Sequence, residues 1–498
     1  MLNRFKTPFL LIFLIVCIVL PQAALAAPDT EASPAPSASS AESAPQAALD
    51  APDIEASPAP DDSSDEEEPP AASGSPAPDD ASNQTDSEGR PALPDREAAI
   101  LIDLNTSTIL YDKNSDKRMY PASTTKMMTA LLVLEAVDSA AVGLEDGVTV
   151  SADMLAGPPA DGSSMNLKEG EEVTIQMLLE GLLLASGNDA ARTLAFVISG
   201  SEEAFVDLMN ARAEELGLTN THFANPHGLS DPEHYTTATD LAVIAREAMQ
   251  FDTFREIVEI AHIKIPPTNL SEERYFINTN GLLSTMRYLD YYYEPAIGVK
   301  TGYTSEAGNC LVAAAQKGGM TLLSVVLNGA EVKNSHNDTI RLFEYGFSHY
   351  KTAAALPKEE MVGEVRVKQG AGGVDYVTLS TAEDVLVTIP QDVNVEDLTV
   401  TVDAPEAVYA PVQAGAPLAT VTVSYEGTEL GSADLLADAS IDRHPLGFLM
   451  SAWEALWGAR LFRIVVYLLL AALAVFLIVL VIGIRRELKR ANRYKRHR

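Results

Sequence analysis

Three short runs in this 498-residue chain carry side chains able to make and break an acyl bond. Ser123 and Lys126 stand at i and i+3, a spacing that places two side chains on one face of a helix. A serine hydroxyl is a poor nucleophile until a base removes its proton. A lysine amine serves as that base only when neutral, and its reference pKa is about 10.4. Burial and a neighbouring cation both lower it. A helix N-terminus adds N–H groups aimed at developing negative charge. Ser186-Gly187-Asn188 offers a hydroxyl that can relay a proton to a leaving amine and an amide that can hold a peptide group. Lys300-Thr301-Gly302 offers two donors for a substrate carboxylate and a glycine that lets an extended chain approach the backbone. Each run is weak alone. Ser348 to Lys351 repeats the Ser-x-x-Lys pattern and Ser335 to Asn337 the Ser-x-Asn pattern. Specificity comes from the ordered set, with 63 and 114 positions between the first residues of successive runs.

Positioning three distant runs requires a sizeable domain. Ala98–Leu104 and Ser107–Asp112 read as a hairpin around Asn105-Thr106. Ser123–Val137 reads as a helix burying Met127, Met128, Leu131, Leu132 and Leu134. Val173–Ala185, Ala204–Leu216 and Thr239–Gln250 are further helices. Cys310–Ala315 and Thr321–Leu327 are buried strands joined through Lys317-Gly318-Gly319. The expected fold class is α+β, with helices around an antiparallel sheet over residues 95–352. Short runs rich in Val and Thr, at Glu364–Lys368, Tyr376–Leu379, Val385–Ile389, Leu398–Val402 and Ala419–Tyr425, then predict a small all-β sandwich over 356–442.

The flanks read differently. Residues 1–26 look like a signal peptide: Arg4 and Lys6, an apolar run from Pro8 to Leu20, then Ala24-Leu25-Ala26. Residues 27–94 are rich in Pro, Ala, Ser and acid, and are expected to be disordered. Residues 444–462 suit an interfacial amphipathic segment carrying Phe448, Trp453 and Trp457. A transmembrane helix is expected over 463–484, within which Ile464–Ile484 holds 21 residues without a charge. Residues 485–498 carry eight Lys/Arg and one Glu, which places that tail in the cytoplasm and the rest of the mature chain outside.

Composition excludes several classes. A net charge of −35 argues against a nucleic-acid partner. The eight His residues form no His-Glu-x-x-His, so no metal site is expected, and no cofactor motif stands out. Cys310 reads as a small buried hydrophobe. His227 reads as a structural turn residue, and Tyr291-Tyr292-Tyr293 as a packing or groove-lining patch.

With these runs in place, the chain resembles the low-molecular-mass penicillin-binding proteins, the D-alanyl-D-alanine carboxypeptidases related to penicillin-binding protein 5. The resemblance covers roughly residues 92–440. It is carried by Pro121–Lys126, Leu184–Ala190, Asn225–Leu229, Tyr235–Asp240, Lys300–Thr304 and Glu306–Cys310, and in the β domain by Ala410–Gly415. The chain departs from the family in two places: a full span follows the amphipathic segment, and Ile297-Gly298-Val299 stands ahead of Lys-Thr-Gly.

The resemblance implies a β-lactamase/transpeptidase-like catalytic domain that removes terminal D-Ala from peptidoglycan stem peptides and is acylated by β-lactams. It implies Ser123 as nucleophile, Lys126 as general base, Ser186 as proton shuttle and Asn188 on the substrate amide. Lys300 and Thr301 would bind the substrate carboxylate beside Gly302, and the Ser123 and Tyr303 N–H groups would form the oxyanion hole. The competing expectations are a DD-endopeptidase, a β-lactamase, and a catalytically silent wall scaffold.

Overall fold

The computed structural model describes residues 85–86, 89–94, 97–157, 162–286 and 290–495. The signal peptide expected at 1–26 and nearly all of the acidic stretch at 27–94 lie outside the described residues. The chain opens into strand β1 (Ala98–Asp103), buried at every position, and its partner β2 (Ile109–Lys113). They form the anticipated hairpin, paired antiparallel through Leu101 and Tyr111. A 3-10 turn (Ala122–Thr125) then feeds helix α1 (Lys126–Asp138). The helix expected to open at Ser123 therefore opens with a tighter turn. Thr124 and Thr125 hydroxyls donate back to the carbonyls of Pro121 and Ala122, taking up acceptors that an α-turn would use.

Helices dominate the next stretch. They are α2 (Ala152–Leu155), α3 (Ile175–Leu183), α4 (Asn188–Ser199), α5 (Glu202–Glu215), α6 (Ala238–Ala248) and α7 (Asp252–Glu259). The helix expected from Val173 starts two residues later. Glu172–Thr174 instead pairs as strand β4 with β3 (Gly147–Thr149), and the Thr174 side chain caps α3 by accepting from the Met177 N–H. A short hairpin follows, β5 (His262–Ile265) against β6 (Arg274–Ile277). Behind it, the buried Glu171 carboxylate accepts from Arg274 at 2.6 Å and from the Thr268 hydroxyl at 2.7 Å.

Strands β7 (Ala296–Thr304), β8 (Gly308–Lys317) and β9 (Met320–Gly329) complete the central sheet, whose order is β2-β1-β9-β8-β7. β1 pairs with β9 although more than 200 positions separate them, so the first and last strands of the domain meet at its centre. Strand β7, which carries Lys300-Thr301-Gly302, lies at an edge. One face of the sheet packs on the helices through Ile100, Val312, Val325 and Leu327, which join Met127, Leu131 and Leu178 in one core. Helix α8 (Val332–His349) covers the other face through Leu342, Phe343 and Phe347, and Tyr293 stacks there on Phe343. The fold is α+β, with helices around an antiparallel sheet.

The chain leaves α8 directly into β10 (Tyr350–Leu356), which pairs not with the catalytic sheet but with β13 (Val385–Pro390). A second sheet runs β14-β16-β17-β12-β11-β15, from β11 (Met361–Lys368), β12 (Tyr376–Thr381), β14 (Thr399–Asp403), β15 (Ala407–Tyr409), β16 (Pro417–Tyr425) and β17 (Thr428–Ala437). The two sheets share one core of Val365, Leu379, Val387, Ile389, Val421 and Leu435, as the all-β expectation required.

A buried carboxylate joins the two domains. Asp103 Oδ2, at the end of β1, accepts from the hydroxyls of Thr352 at 2.6 Å and Thr388 at 2.7 Å, while Oδ1 accepts from the Asn105 N–H. Beyond the β domain come α9 (Gly447–Gly458) and α10 (Arg460–Lys495). Trp453 stacks on Trp457 at 5.5 Å between ring centres, and Phe462 meets both edge-on. Among the described residues, α10 is the helix long and apolar enough to cross a membrane, by length and composition, over Arg460–Lys489. It continues without a break into the basic tail, because Arg, Lys and Glu are good helix formers.

Candidate active site

The turn Ala122–Thr125 presents Ser123 half-buried at the mouth of α1, and Lys126 is the first residue of the helix proper. The Lys126 side chain is fully buried, yet three oxygens surround its Nζ. Ser123 Oγ lies at 2.9 Å, Asn188 Oδ1 at 2.8 Å and the main-chain carbonyl of His227 at 2.6 Å. Two of these, the amide oxygen and the backbone carbonyl, can only accept. A neutral amine has two hydrogens and one lone pair. Donating both hydrogens to Asn188 and His227 leaves the lone pair for the Ser123 O–H. With the amine neutral, this geometry aims its lone pair at the hydroxyl.

The electrostatics point the same way. Burial pushes the Lys126 amine well below the ordinary lysine range, the Lys300 ammonium pushes it further, and the Asp189 carboxylate opposes both. The position of Lys126 at a helix N-terminus adds a like-signed dipole.

Each partner is held by its own local structure. Asn188 opens α4 directly after Ser186-Gly187, and Ser186 is buried with φ of 60°, turning the chain sharply out of α3. Asp189 fixes that corner. Its oxygens accept from the Met165, Leu167 and Ala190 N–H groups and from the Ser164 hydroxyl, and the Asn188 N–H donates to the Ser163 carbonyl. On the other side, Asn225 Oδ1 accepts from the His227 and Gly228 N–H groups, closing a tight turn. That turn is tied to α1 twice, through the Lys126–His227 contact and through the Thr129 hydroxyl, which donates to Pro226 at 2.6 Å. Gly228 has φ of +87°, and a Cβ there would sit 1.9 Å from the Ala122 carbonyl oxygen. No side chain fits at that position.

The imidazole of His227 faces away from the reaction. Its Nδ1 accepts from the Leu229 N–H, and its Nε2 lies 3.5 Å from Glu202, which also pairs with Arg192 at 2.7 Å. Burial lowers the His227 pKa despite Glu202. His234 is lowered to about 3, chiefly by burial; its Nδ1 accepts from the Ala224 N–H, so the Nε2–H donates to Thr125 Oγ1. Both rings are neutral structural parts near pH 7. The contribution of His227 to the pocket is its carbonyl, which no side-chain pattern in the sequence signals.

Strand β7 passes directly over the serine turn. A Cβ on Gly302 would lie 3.0 Å from the Pro121 carbonyl oxygen, 3.1 Å from Ala122 Cβ and 3.1 Å from Ser123 N. Glycine is what lets the strand come that close. Lys300 is buried, with its Nζ donating to the Thr301 carbonyl at 3.0 Å, and it acts electrostatically on Lys126. The Thr301 hydroxyl donates to Thr279 Oγ1 at 2.7 Å, a partner the sequence did not flag. Tyr303 projects into solvent. Ile297-Gly298-Val299 leads into the motif through an irregularity in the β7–β8 register between Ala296 and Gly298, after which pairing runs on to Thr304.

The structure therefore brings Ser123, Lys126 and Asn188 into direct contact, sets Lys300 close enough to act on Lys126, and lays Gly302 against Ser123. The decoy runs lie elsewhere: Ser335 is buried in α8, and Ser348 is exposed near its end. Cys310 is buried in β8. Among the described residues, no group of three or more His, Cys, Asp or Glu side chains could hold a metal ion.

Comparison with known proteins places this geometry in context. Residues 86–331 match the family described as D-alanyl-D-alanine carboxypeptidase, and residues 350–443 match the one described as penicillin-binding protein 5, C-terminal domain. The chain is 34% identical over 353 residues to D-alanyl-D-alanine carboxypeptidase DacF of Bacillus subtilis (strain 168), covering 71% of this chain and 87% of that protein. It is 34% identical over 355 residues to D-alanyl-D-alanine carboxypeptidase DacA of Escherichia coli (strain K12), covering 70% and 84%. Among solved structures, penicillin binding protein 5 from Haemophilus influenzae is similar at a TM-score of 0.62 and 30% identity, over 71% of this chain and 99% of that one.

Proposed function

Since the chain belongs to the D-alanyl-D-alanine carboxypeptidase family and is a serine D-Ala-D-Ala carboxypeptidase of the penicillin-binding protein 5 type, we propose that Ser123 and Lys126 are its nucleophile and general base. The observation that carries this assignment is the donor–acceptor count at Lys126 Nζ, which leaves one lone pair and points it at Ser123.

The reaction then runs as follows. Lys126 accepts the Ser123 proton as Oγ attacks the carbonyl of the penultimate D-Ala. Negative charge on that oxygen is met by the N–H groups of Ser123 and Tyr303. Loss of one such donor typically costs about 10²–10³ in rate. Collapse expels the terminal D-Ala, whose amine takes a proton through Ser186 with Lys300 nearby. Asn188 holds the acyl-side amide, and Lys300 with Thr301 holds the terminal carboxylate. Water, deprotonated in turn, hydrolyses the acyl-serine and frees the shortened stem peptide. β-Lactams present the same carbonyl and carboxylate and acylate the same serine.

The apolar, solvent-exposed stretch of α10 up to Ile484 and the eight basic residues that follow it support a single-pass anchor with a cytoplasmic tail and an extracytoplasmic catalytic domain. The test is direct. The Ser123→Ala protein loses both covalent labelling by fluorescent penicillin and release of D-alanine from a D-Ala-D-Ala-ended pentapeptide. Labelling that persists in this variant removes Ser123 from its role.

A further inference from the structure

Beyond the reacting groups, the turn after β7 carries a fixed charge with no catalytic task. Glu306 is exposed, yet its carboxylate is held at both oxygens. Ser230 Oγ donates to Oε2 at 2.7 Å and Ser305 Oγ donates to Oε1 at 2.8 Å. Ser230 also lies 3.0 Å from Thr304 Oγ1, which accepts from the Ala307 N–H. Hydrogen bonds led by that from Ser230 keep the group below the ordinary carboxylate range. Among the described residues, Glu306 forms no ion pair. It is a preorganised anion without a counter-charge, and each carboxylate oxygen retains acceptor capacity.

Its location gives it meaning. Ser230 follows the turn Asn225–Leu229, which supplies the His227 carbonyl to Lys126. Thr304 ends the strand that begins its motif at Lys300. If the terminal carboxylate sits at Lys300 and Thr301, the acyl side of an extended substrate runs along β7 toward Thr304. At about 3.3 Å per residue, Thr301 to Thr304 spans about 10 Å. From a terminal carboxylate to the third residue back is about 7 Å of extended peptide, and a lysine-length side chain adds roughly 6 Å more.

We propose that Glu306 is a specificity-determining residue that recognises a free side-chain ammonium on the residue preceding D-Ala-D-Ala. This inference rests on the orientation of substrate given above and adds the substrate's third residue to it. A free amine marks a stem peptide that has not been cross-linked through that group. Glu306 therefore biases the enzyme toward un-cross-linked stems, and acylation of the amine removes the bias.

The experiment uses the full chain in mild detergent and two tripeptides, Nα-acetyl-L-Lys-D-Ala-D-Ala and its Nα,Nε-diacetyl form, with released D-alanine measured. The readout is the ratio of kcat/KM for the free amine to that for the blocked amine. Exposed ion pairs are weak, so the wild-type ratio is expected at roughly two to five, shrinking with added salt. The ratio falls to about one in Glu306→Gln and below one in Glu306→Lys. Penicillin labelling of each variant verifies an intact pocket. A ratio identical in wild type and both variants overturns the role of Glu306. Failure of wild type to release D-alanine from either peptide overturns the carboxypeptidase reading itself, and this inference with it.

Discussion

A fully buried lysine proposed to act as a neutral base should leave a signature on the stability of the fold. In the unfolded chain Lys126 titrates near 10.4. In the folded chain burial and Lys300 hold it well lower. Between those two values the unfolded state binds one more proton, so folding stability rises with pH. The contribution is complete above the unfolded value and is lost as pH falls toward the folded one. Within that window one proton corresponds to about 1.36 kcal/mol per pH unit.

Lys126→Met removes this term and, in exchange, leaves Asn188 Oδ1 and the His227 carbonyl without their donor. Each unsatisfied buried acceptor costs about 1–3 kcal/mol, but that cost does not vary with pH. The stability difference between wild type and variant should therefore shift in favour of wild type by about 1.36 kcal/mol per pH unit as pH rises toward 9 through the window between the folded and unfolded values. Urea unfolding followed by pulse proteolysis measures it, and other titrating groups cancel in the difference. A difference that stays constant with pH would mean that Lys126 is charged in the folded protein and cannot be the base.

Three further outcomes follow from the same geometry. Lys300→Gln removes the cation that depresses Lys126, so the acid limb of the penicillin acylation rate should move to higher pH; a limb that stays put or moves down separates the two lysines. Gly302→Ala asks the serine turn to yield by a few tenths of an ångström and should slow acylation by about tenfold with little loss of thermal stability, given that about 1 Å of misplacement costs about 10²; Gly228→Ala, driven into the Ala122 carbonyl, should lower both, as melting curves and labelling rates would register. Arg274→Met strands the buried Glu171 carboxylate, whose pKa Thr268 and Arg274 lower against its burial; denaturant unfolding at pH 7 should show a loss of about 3–5 kcal/mol, smaller at pH 5 where the stranded acid can protonate.

Much of this pocket was legible before any coordinates, for a physical reason. The roles proposed for Ser123, Lys126, Asn188 and Lys300 rest on side chains, and side chains are what a sequence spells out. The contacts at Lys126 set a desolvated amine against the serine hydroxyl. The His227 carbonyl was not legible, because every residue has one and only the Asn225 turn decides where it points. Thr279 was missed for a related reason: its partnership with Thr301 depends on where the hairpin β5–β6 returns the chain. In the β domain, β11 to β14 and β16 followed from their Val- and Thr-rich runs. β10 did not, since Thr352-Ala-Ala-Ala355 has no alternation to read, and β17 is interrupted by Gly431 and Asp434. The tail after Ile484 carries a clear charge signal, but charge does not reveal that α10 continues through it.

The Asp103 joint also sets what a change of angle between the two domains would cost. Hydroxyls from β10 and β13 converge on one buried carboxylate, and β10 grows straight out of α8, so bending one domain against the other would have to break those hydrogen bonds and strand the acid away from water.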